Sequence, residues 1–152
     1  MVNFVEQKRC FFIGHRDTPE TVKSALQEAV VQHIVEYGVT EFLVGSYGAF
    51  DRMAAECVIA AKKQHPQVVL TLLLPYHPGE RKVVLPEGFD GSLYPPGQEN
   101  VPRRAAIVRA NHYAVHVSDY IIVYAKYPGS NAWRMCECAS ECTQKKLLNL
   151  AK

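Results

Sequence analysis

Short apolar runs alternate with segments of helical periodicity along most of this chain. The runs "RCFFI", "TEFLVG", "VVLTLLLP" and "DYIIVYA" have the length and composition of buried strands. Each is followed, directly or after a loop, by a segment in which apolar residues recur every three or four positions, as in "TVKSALQEAVVQHIVEYG". Because parallel strands need long crossovers, usually helices, this order predicts the α/β class. We expect a single-domain three-layer sandwich with a mostly parallel sheet of about five strands and helices on both faces.

Length and composition fit one globular domain over residues 1–152. Apolar residues make up 48% and charged residues 21%, which is typical of a globular protein. The net charge of +2 gives no electrostatic reason to expect nucleic-acid binding. No apolar run approaches the roughly 20 residues that span a bilayer, and "MVNFVEQKRC" lacks the apolar core of a signal peptide. We therefore expect a cytoplasmic protein without membrane contacts.

Polar and glycine-rich loops follow the predicted strands: "GHRD", "GSYGAFD", "PYHPGE" and "YPGSN". The carboxyl ends of parallel strands meet at one edge of the sheet. Open α/β sheets bind their ligands there, where the strand order reverses. The sequence therefore predicts a ligand site built from these loops.

The loop "VGSYGAFD" has the composition of an anion-binding turn before a helix. Gly45 and Gly48 allow close approach of a ligand to the backbone. Ser46 and neighbouring amides could bind a phosphate at the helix start, and Tyr47 could stack on a base. Asp51 could accept from a ribose hydroxyl. A tight turn in which Asp51 only caps the helix is the alternative.

The loop "PGSNA" repeats this pattern after the fourth predicted strand. Gly129 and Ser130 could supply a second set of amides, and Asn131 could bind a sugar or a base. The alternative is a turn in which Ser130 or Asn131 caps the following helix.

Two further segments supply charged and polar groups. Gly14 ends the first strand, and His15 and Arg16 follow it. Arginine suits bidentate phosphate binding, and histidine exchanges protons near neutral pH; a surface pair of Arg16 with Asp17 is the alternative. In "RRAAIVRANHY", Arg109 and Asn111 lie near the predicted strand end and could reach inward.

Residues 76–100 are rich in proline and glycine and have no helical period. Loops of this length in a compact domain are usually functional or disordered. We expect a long loop that closes over the ligand. Its Phe89, Leu93 and Tyr94 would pack on the ligand, the sheet edge or a second subunit, and residues 82–91 would be protease-sensitive until ligand binds.

Metal binding has little support in the sequence. Cys138 and Cys142, and likewise His112 and His116, have i,i+4 spacing, but there is no C-x-x-C pair. We expect small buried or half-buried thiols, no metal and no cofactor.

The segments "FFIGHRDTPE", "VTEFLVGSYGAFDRMAAE", "LPEGFDGSLYPPGQENVPRRAAIVRAN" and "SDYIIVYAKYPGSNAWRMCECA" together resemble the SLOG superfamily. The resemblance covers nearly the whole chain. It is strongest to the short YpsA-like branch of stand-alone bacterial or phage proteins, related to LOG and DprA proteins. It implies a Rossmann-like fold that binds nucleotides or nucleotide-derived ligands, and these proteins commonly form homodimers or higher oligomers.

The resemblance also raises a possible activity. LOG-type members are phosphoribohydrolases that cleave the N-glycosidic bond of nucleoside monophosphates, using an Arg and a Glu near P-G-G-x-G-T-x-x-E. The matching segment here places Met135 and Cys136 at the end of the motif, and the nearest acid is Glu137. Arg109 is the counterpart of the Arg. One step along a helix is a rotation of about 100°, so this departure weakens the case for hydrolysis.

The sequence therefore favours a binding protein over an enzyme. The first hypothesis is a sensor or sequestering protein that binds a nucleotide-derived small molecule at the strand ends. Its phosphates would lie on the loops at 46–48 and 129–131, with Arg16 and Arg109 as charge partners. The alternative is a phosphoribohydrolase that uses Arg109 with Glu137 or Asp51. A purely structural or oligomer-forming module is the third hypothesis.

Overall fold

A computed structural model describes residues 7–79, 84–140 and 146–151, and every structural statement below concerns these residues. The elements in chain order are β1 (Arg9–Ile13), α1 (Lys23–Val35), β2 (Glu41–Val44), α2 (Ala49–Lys62), β3 (Val69–Leu73), β4 (Gly91–Leu93), α3 (Ala106–Val117), β5 (Tyr120–Val123), α4 (Asn131–Ser140) and β6 (Lys146–Asn149).

The sheet confirms the predicted class. Its described strands number six, in the order β4-β3-β2-β1-β5-β6. Every neighbouring pair is parallel. The chain adds strands on one side of β1 as far as β4 and then crosses to the other side at β5. The strand order therefore reverses between β1 and β5, the place where such sheets bind ligands.

The helices cover both faces of the sheet. Successive side chains of a strand point to opposite faces, so Phe12 packs in one core with residues of α1 and α2. Its neighbour Phe11 packs in the other core with residues of α3 and α4. Both phenylalanines are buried. These two apolar cores hold the three layers together and fix the loops at the carboxyl edge of the sheet.

The proline- and glycine-rich segment 76–100 contains regular structure that its composition does not indicate. Strand β4 lies within it and pairs with β3 at the edge of the sheet, and a 3₁₀ turn follows at Gln98–Asn100. Phe89 packs against the core that contains Phe12, and Leu93 packs against the core that contains Phe11. Both side chains therefore contact the same domain that carries them. Residues 80–83 lie outside the described residues, and with them residues 82 and 83 of the segment predicted to be protease-sensitive.

Buried Gln98 holds the end of this segment in place. Its Nε2 donates to the carbonyl oxygen of Pro75 at 3.1 Å and to that of Ala106 at 2.6 Å. One side chain thus joins the exit of β3 to the start of α3. In the described part of the chain, no helix is long and apolar enough to cross a membrane.

Candidate functional site

A cavity of about 250 Å³ lies at the carboxyl edge of the sheet. The ends of β1, β2 and β3 and the facing parts of α3 and α4 form its walls. This is the place predicted from the loop pattern. The predicted site residues that line it are Gly14, His15, Arg16, Gly45, Tyr47, Asp51, Asn111 and Asn131.

The remaining predicted site residues are not among those that line this cavity. They are Ser46, Gly48, Arg109, Gly129, Ser130 and Glu137. Arg109 is exposed and lines a different surface depression, together with His112 and His116. Glu137 is also exposed, and it lies about 9 Å along α4 from Asn131 at a rise of about 1.5 Å per residue. The structure therefore does not bring Arg109 and Glu137 together at the cavity.

Several lining residues carry no signal in the sequence. They are Phe12, Ile13, Leu73, Pro75, Ile107, Ala110 and Ala132. Most of them belong to core-facing stretches, where an apolar residue that touches a ligand looks the same as one that touches a neighbour. Half-buried Ile107 and buried Ala110 project from the first turns of α3 and supply an apolar wall opposite the loop of Tyr47.

Asp51 is the acidic group of the cavity. It lies in the first turn of α2, and its Oδ2 accepts a hydrogen bond from the backbone N–H of Tyr47 at 2.9 Å. Burial raises the pKa of Asp51 to about 6, although the Tyr47 amide acts in the opposite direction. Asp51 thus bonds to Tyr47, the residue before the helix N-cap Gly48, and it also lines the cavity. Its contact with a ribose hydroxyl stays a prediction.

The start of α2 is covered by the chain itself. The carbonyl oxygen of Arg16 accepts from the N–H of Ala49 at 2.9 Å. Gly48 adopts φ 128° and ψ −168°, and a Cβ there would lie 2.5 Å from the Cα of Arg16. The missing side chain of Gly48 therefore makes room for the loop after β1. That Gly48 also lets a ligand approach the backbone stays a prediction.

His15 joins the two loops at the point where the strand order reverses. Its Nε2 accepts a hydrogen bond from the backbone N–H of Lys126 at 2.9 Å. Its ring contacts those of Tyr127 and Tyr124, with centroids 4.7 and 5.8 Å away. Burial lowers the pKa of His15, against a smaller opposing effect of Asp17. The folded protein therefore favours the neutral ring, with Nε2 as the acceptor.

The loop before α4 contains a helix cap. The hydroxyl of Ser130 accepts from the N–H of Trp133 at 3.2 Å and donates to the carbonyl oxygen of Tyr127 at 2.7 Å. These bonds give Ser130 the capping role named as the alternative. The next residue, Asn131, is exposed and lines the cavity. Ser130 thus caps the helix, whereas its neighbour Asn131 lines the cavity.

The described residues include no group of three or more His, Cys, Asp or Glu side chains able to hold a metal ion. Cys10 and Cys57 are buried, and Cys136 and Cys138 are half-buried. Cys142, the partner of Cys138 in the i,i+4 pair, lies outside the described residues.

No protein-family model matches this sequence, and no curated protein matches it. Solved structures do share its fold. DNA processing protein A (DprA) from Streptococcus pneumoniae superposes with a TM-score of 0.66 at 17% identity, over 93% of this chain and 49% of that one. DprA from Helicobacter pylori, described for its single-stranded DNA binding, gives 0.61 at 15% identity, over 90% and 62%.

A third similar structure is the molybdenum cofactor binding protein from Rippkaea orientalis. It has a TM-score of 0.61 and 17% identity, over 96% of this chain and 78% of that one. The present chain thus spans about half to two-thirds of the DprA chains and more of the cofactor binder. These matches show that the chain shares their Rossmann-like α/β fold. Membership of the SLOG superfamily and of its YpsA-like branch stays a prediction.

Proposed function

We propose that this protein binds a nucleotide-derived small molecule in the cavity at the carboxyl edge of the sheet, as a cytoplasmic sensor or sequestering protein. One observation carries the proposal. Polar side chains from three elements, Asp51, Asn111 and Asn131, line one cavity together with apolar residues of β1, β3 and α3. Small-molecule sites combine apolar walls with a few polar groups that orient the ligand, and both kinds of side chain are present here.

The volume of the cavity limits the size of the ligand that it can hold. Small-molecule sites commonly measure about 300–1,000 Å³. A cavity of about 250 Å³ lies just below that range and suits a nucleoside or a mononucleotide better than a dinucleotide. Among the structures that share the fold, one is named for binding a small cofactor, which supports a small-molecule ligand here.

Nucleic-acid binding has less support. A DprA of this fold is described as binding single-stranded DNA. The present chain carries a net charge of only +2, and phosphate contacts from Lys and Arg supply most non-specific affinity for nucleic acids. Small-molecule binding therefore remains the main proposal, and a single-stranded oligonucleotide belongs in the test as a comparison.

Thermal unfolding and titration calorimetry with the four common nucleosides and their phosphates test this proposal. We expect at least one compound to bind, and Asn111→Ala to weaken that binding at least tenfold. Glu137→Gln, an exposed position outside the cavity, is the matched control and should leave affinity unchanged. If none of these compounds binds, or if the oligonucleotide binds in their place, the proposal is wrong.

The alternative, a phosphoribohydrolase, has one observation in its favour. The cavity contains Asp51, a carboxyl group whose pKa is raised to about 6, and such a group can exchange a proton near neutral pH. Asp51, rather than Glu137, would then supply the carboxylate. Chromatography of nucleoside monophosphates after incubation tests this activity. Release of free base that Asp51→Asn abolishes would support hydrolysis, and intact substrate would exclude it.

A homodimer is proposed through the exposed side of α1. Val31 and Val35 lie one turn apart there and are 38% and 64% exposed. Lys23 begins the helix and Glu36 follows its end. The Nζ of Lys23 already pairs with Glu56 at 3.0 Å. An antiparallel pairing of two copies would therefore be held by the valines that it covers.

A further inference from the structure

We infer that the cavity recognises the nucleoside part of its ligand through its polar walls, and that phosphate groups add little to the affinity. This inference rests on the proposed function and narrows its ligand class. It runs against the sequence-based expectation of two phosphate-binding loops. The reason lies in the hydrogen bonds that the protein makes with itself.

Two amides of the first predicted phosphate loop already have acceptors within the protein. The N–H of Ala49 donates to the carbonyl oxygen of Arg16, and the N–H of Tyr47 donates to Asp51, both at 2.9 Å. These two N–H groups therefore already have protein acceptors in place of phosphate oxygens. The carboxylate of Asp51 would also repel a phosphate group at this helix start.

The second predicted phosphate loop is engaged in the same way. The N–H of Ser130 donates to the carbonyl oxygen of Tyr127 at 3.3 Å, and the N–H of Trp133 donates to the hydroxyl of Ser130. Before this loop, the N–H of Lys126 donates to Nε2 of His15. Because Nε2 of His15 accepts this bond, the ring contributes no positive charge there. In each loop, two amides that could bind phosphate at a helix N-terminus are thus already bonded to the protein.

Charge at the cavity leads to the same conclusion. Among the described residues that line it, Arg16 alone carries a permanent positive charge, and Asp51 is acidic. Arg16 is exposed. An ion pair between exposed partners contributes about fivefold or less to a binding constant. Two or three phosphate groups would bring more negative charge than these side chains balance.

The remaining polar groups suit hydroxyl and ring-amide partners. Oδ2 of Asp51 is engaged by Tyr47, which leaves its second oxygen as an acceptor. The amides of Asn111 and Asn131 each offer both a donor and an acceptor. Phe12 and Ile107 supply apolar walls for a ring. A ribose with an attached base matches this combination without any phosphate.

Calorimetry with matched compounds tests the inference. For whichever base binds, the nucleoside, its 5′-monophosphate and its 5′-triphosphate are titrated into the full chain at 150 mM salt. We expect the monophosphate to bind within tenfold of the nucleoside, and the triphosphate to bind no more tightly than the monophosphate. A phosphorylated form more than tenfold tighter than the nucleoside overturns the inference and leaves the proposed function standing. Absence of binding by every compound overturns both.

Variants at Arg16 and Asp51 test how much each side chain contributes to ligand affinity. Arg16→Gln should change the ratio of monophosphate affinity to nucleoside affinity by about fivefold or less. Asp51→Ala should lower nucleoside affinity at least tenfold. A loss of more than tenfold for the monophosphate in Arg16→Gln, with the nucleoside unaffected, would assign recognition to phosphate and overturn the inference. Circular dichroism checks that each variant is folded.

Discussion

The backbone N–H of Tyr47 donates a 2.9 Å hydrogen bond to the carboxylate of Asp51, four residues later. This bond closes the loop between β2 and α2 on itself. It fixes one carboxylate oxygen, and it places the group at the wall of the cavity. The residue that stabilises the start of the helix is therefore also the acidic group available to a ligand.

The first prediction concerns the charge of Asp51. Burial raises its pKa in the folded protein to about 6, above the ordinary value of 3.8. Between these values the folded state binds more protons than the unfolded state, so the contribution of Asp51 to stability falls as pH rises through this window. In Asp51→Asn, the side-chain oxygen still accepts from Tyr47 and no carboxylate needs to be buried.

Urea unfolding at pH 4 and pH 7 measures this effect. The free energy of unfolding of Asp51→Asn relative to wild type should be larger at pH 7 than at pH 4, by up to about 3 kcal/mol. Glu137→Gln, at an exposed position, is the control. A difference that does not change with pH would contradict the raised pKa.

A second prediction separates two glycines with positive φ. A side chain at Gly48 would meet the backbone of Arg16, whereas nothing lies within 4 Å of the Cβ position of Gly129. Gly129→Ala should therefore cost only the left-handed backbone strain, about 1–2 kcal/mol. Gly48→Ala should cost more, about 3 kcal/mol or above, because strain and a contact with the backbone add. Urea unfolding compares the two, and equal losses would contradict the close packing at Gly48.

Much of the fold follows from periodicity. The strands β1, β2, β3 and β5 are buried apolar runs separated by helical segments, and this pattern is enough to predict a parallel sheet. Strand β4 gives no such signal. It has only three residues, Gly91–Leu93, inside a segment rich in proline and glycine, and its pairing with β3 supplies what local propensity does not. The sheet thus has six described strands against about five predicted.

The position of the candidate site could be predicted from the sequence, but the hydrogen bonds within it could not. Loops at the ends of parallel strands must converge, so Arg16, Asp51 and Asn131 meet at one cavity. No pattern in the sequence shows that the carbonyl oxygen of Arg16 accepts from Ala49, a contact between distant parts of the chain. Arg109 illustrates another limit: Ile107 and Asn111 on the same helix line the cavity, but Arg109 faces a different direction.

A third prediction distinguishes two neighbours at the start of α4. Ser130 caps the helix through the N–H of Trp133, so Ser130→Ala should lower the free energy of unfolding by about 1 kcal/mol. It should leave ligand affinity unchanged. Asn131→Ala should lower ligand affinity and leave the free energy of unfolding unchanged, because Asn131 lines the cavity. Unfolding and calorimetry on both variants test this, and a large loss of affinity in Ser130→Ala would show that the hydroxyl contacts the ligand.

A fourth prediction concerns the exposed side of α1. If two copies pair through Val31 and Val35, then Val35→Glu should convert the dimer to a monomer in light scattering after gel filtration. Val84→Glu is the matched control, because Val84 is 80% exposed and lies outside α1. A monomeric wild type at about 100 µM, or a dimer that survives Val35→Glu, would contradict this pairing.

The last prediction concerns the bond between His15 and Lys126. Nε2 of His15 accepts from the amide of Lys126, and burial lowers the pKa of the ring below its ordinary 6.5. In the window between the lowered pKa and 6.5, the unfolded chain binds more protons than the folded one. The stability that His15 contributes is therefore full above pH 6.5 and is lost as pH falls through this window.

Protonation would also break the hydrogen bond, which is worth about 0.5–1.5 kcal/mol. In His15→Gln, the side-chain oxygen can accept from Lys126 and does not titrate, so we expect this variant to lose less stability than wild type between pH 7.5 and pH 5.5. His116→Gln, at an exposed position on α3, should behave like wild type. An identical decline in wild type and His15→Gln would show that His15 does not tie the loops together, and the join at the strand-order reversal would have to come from other contacts.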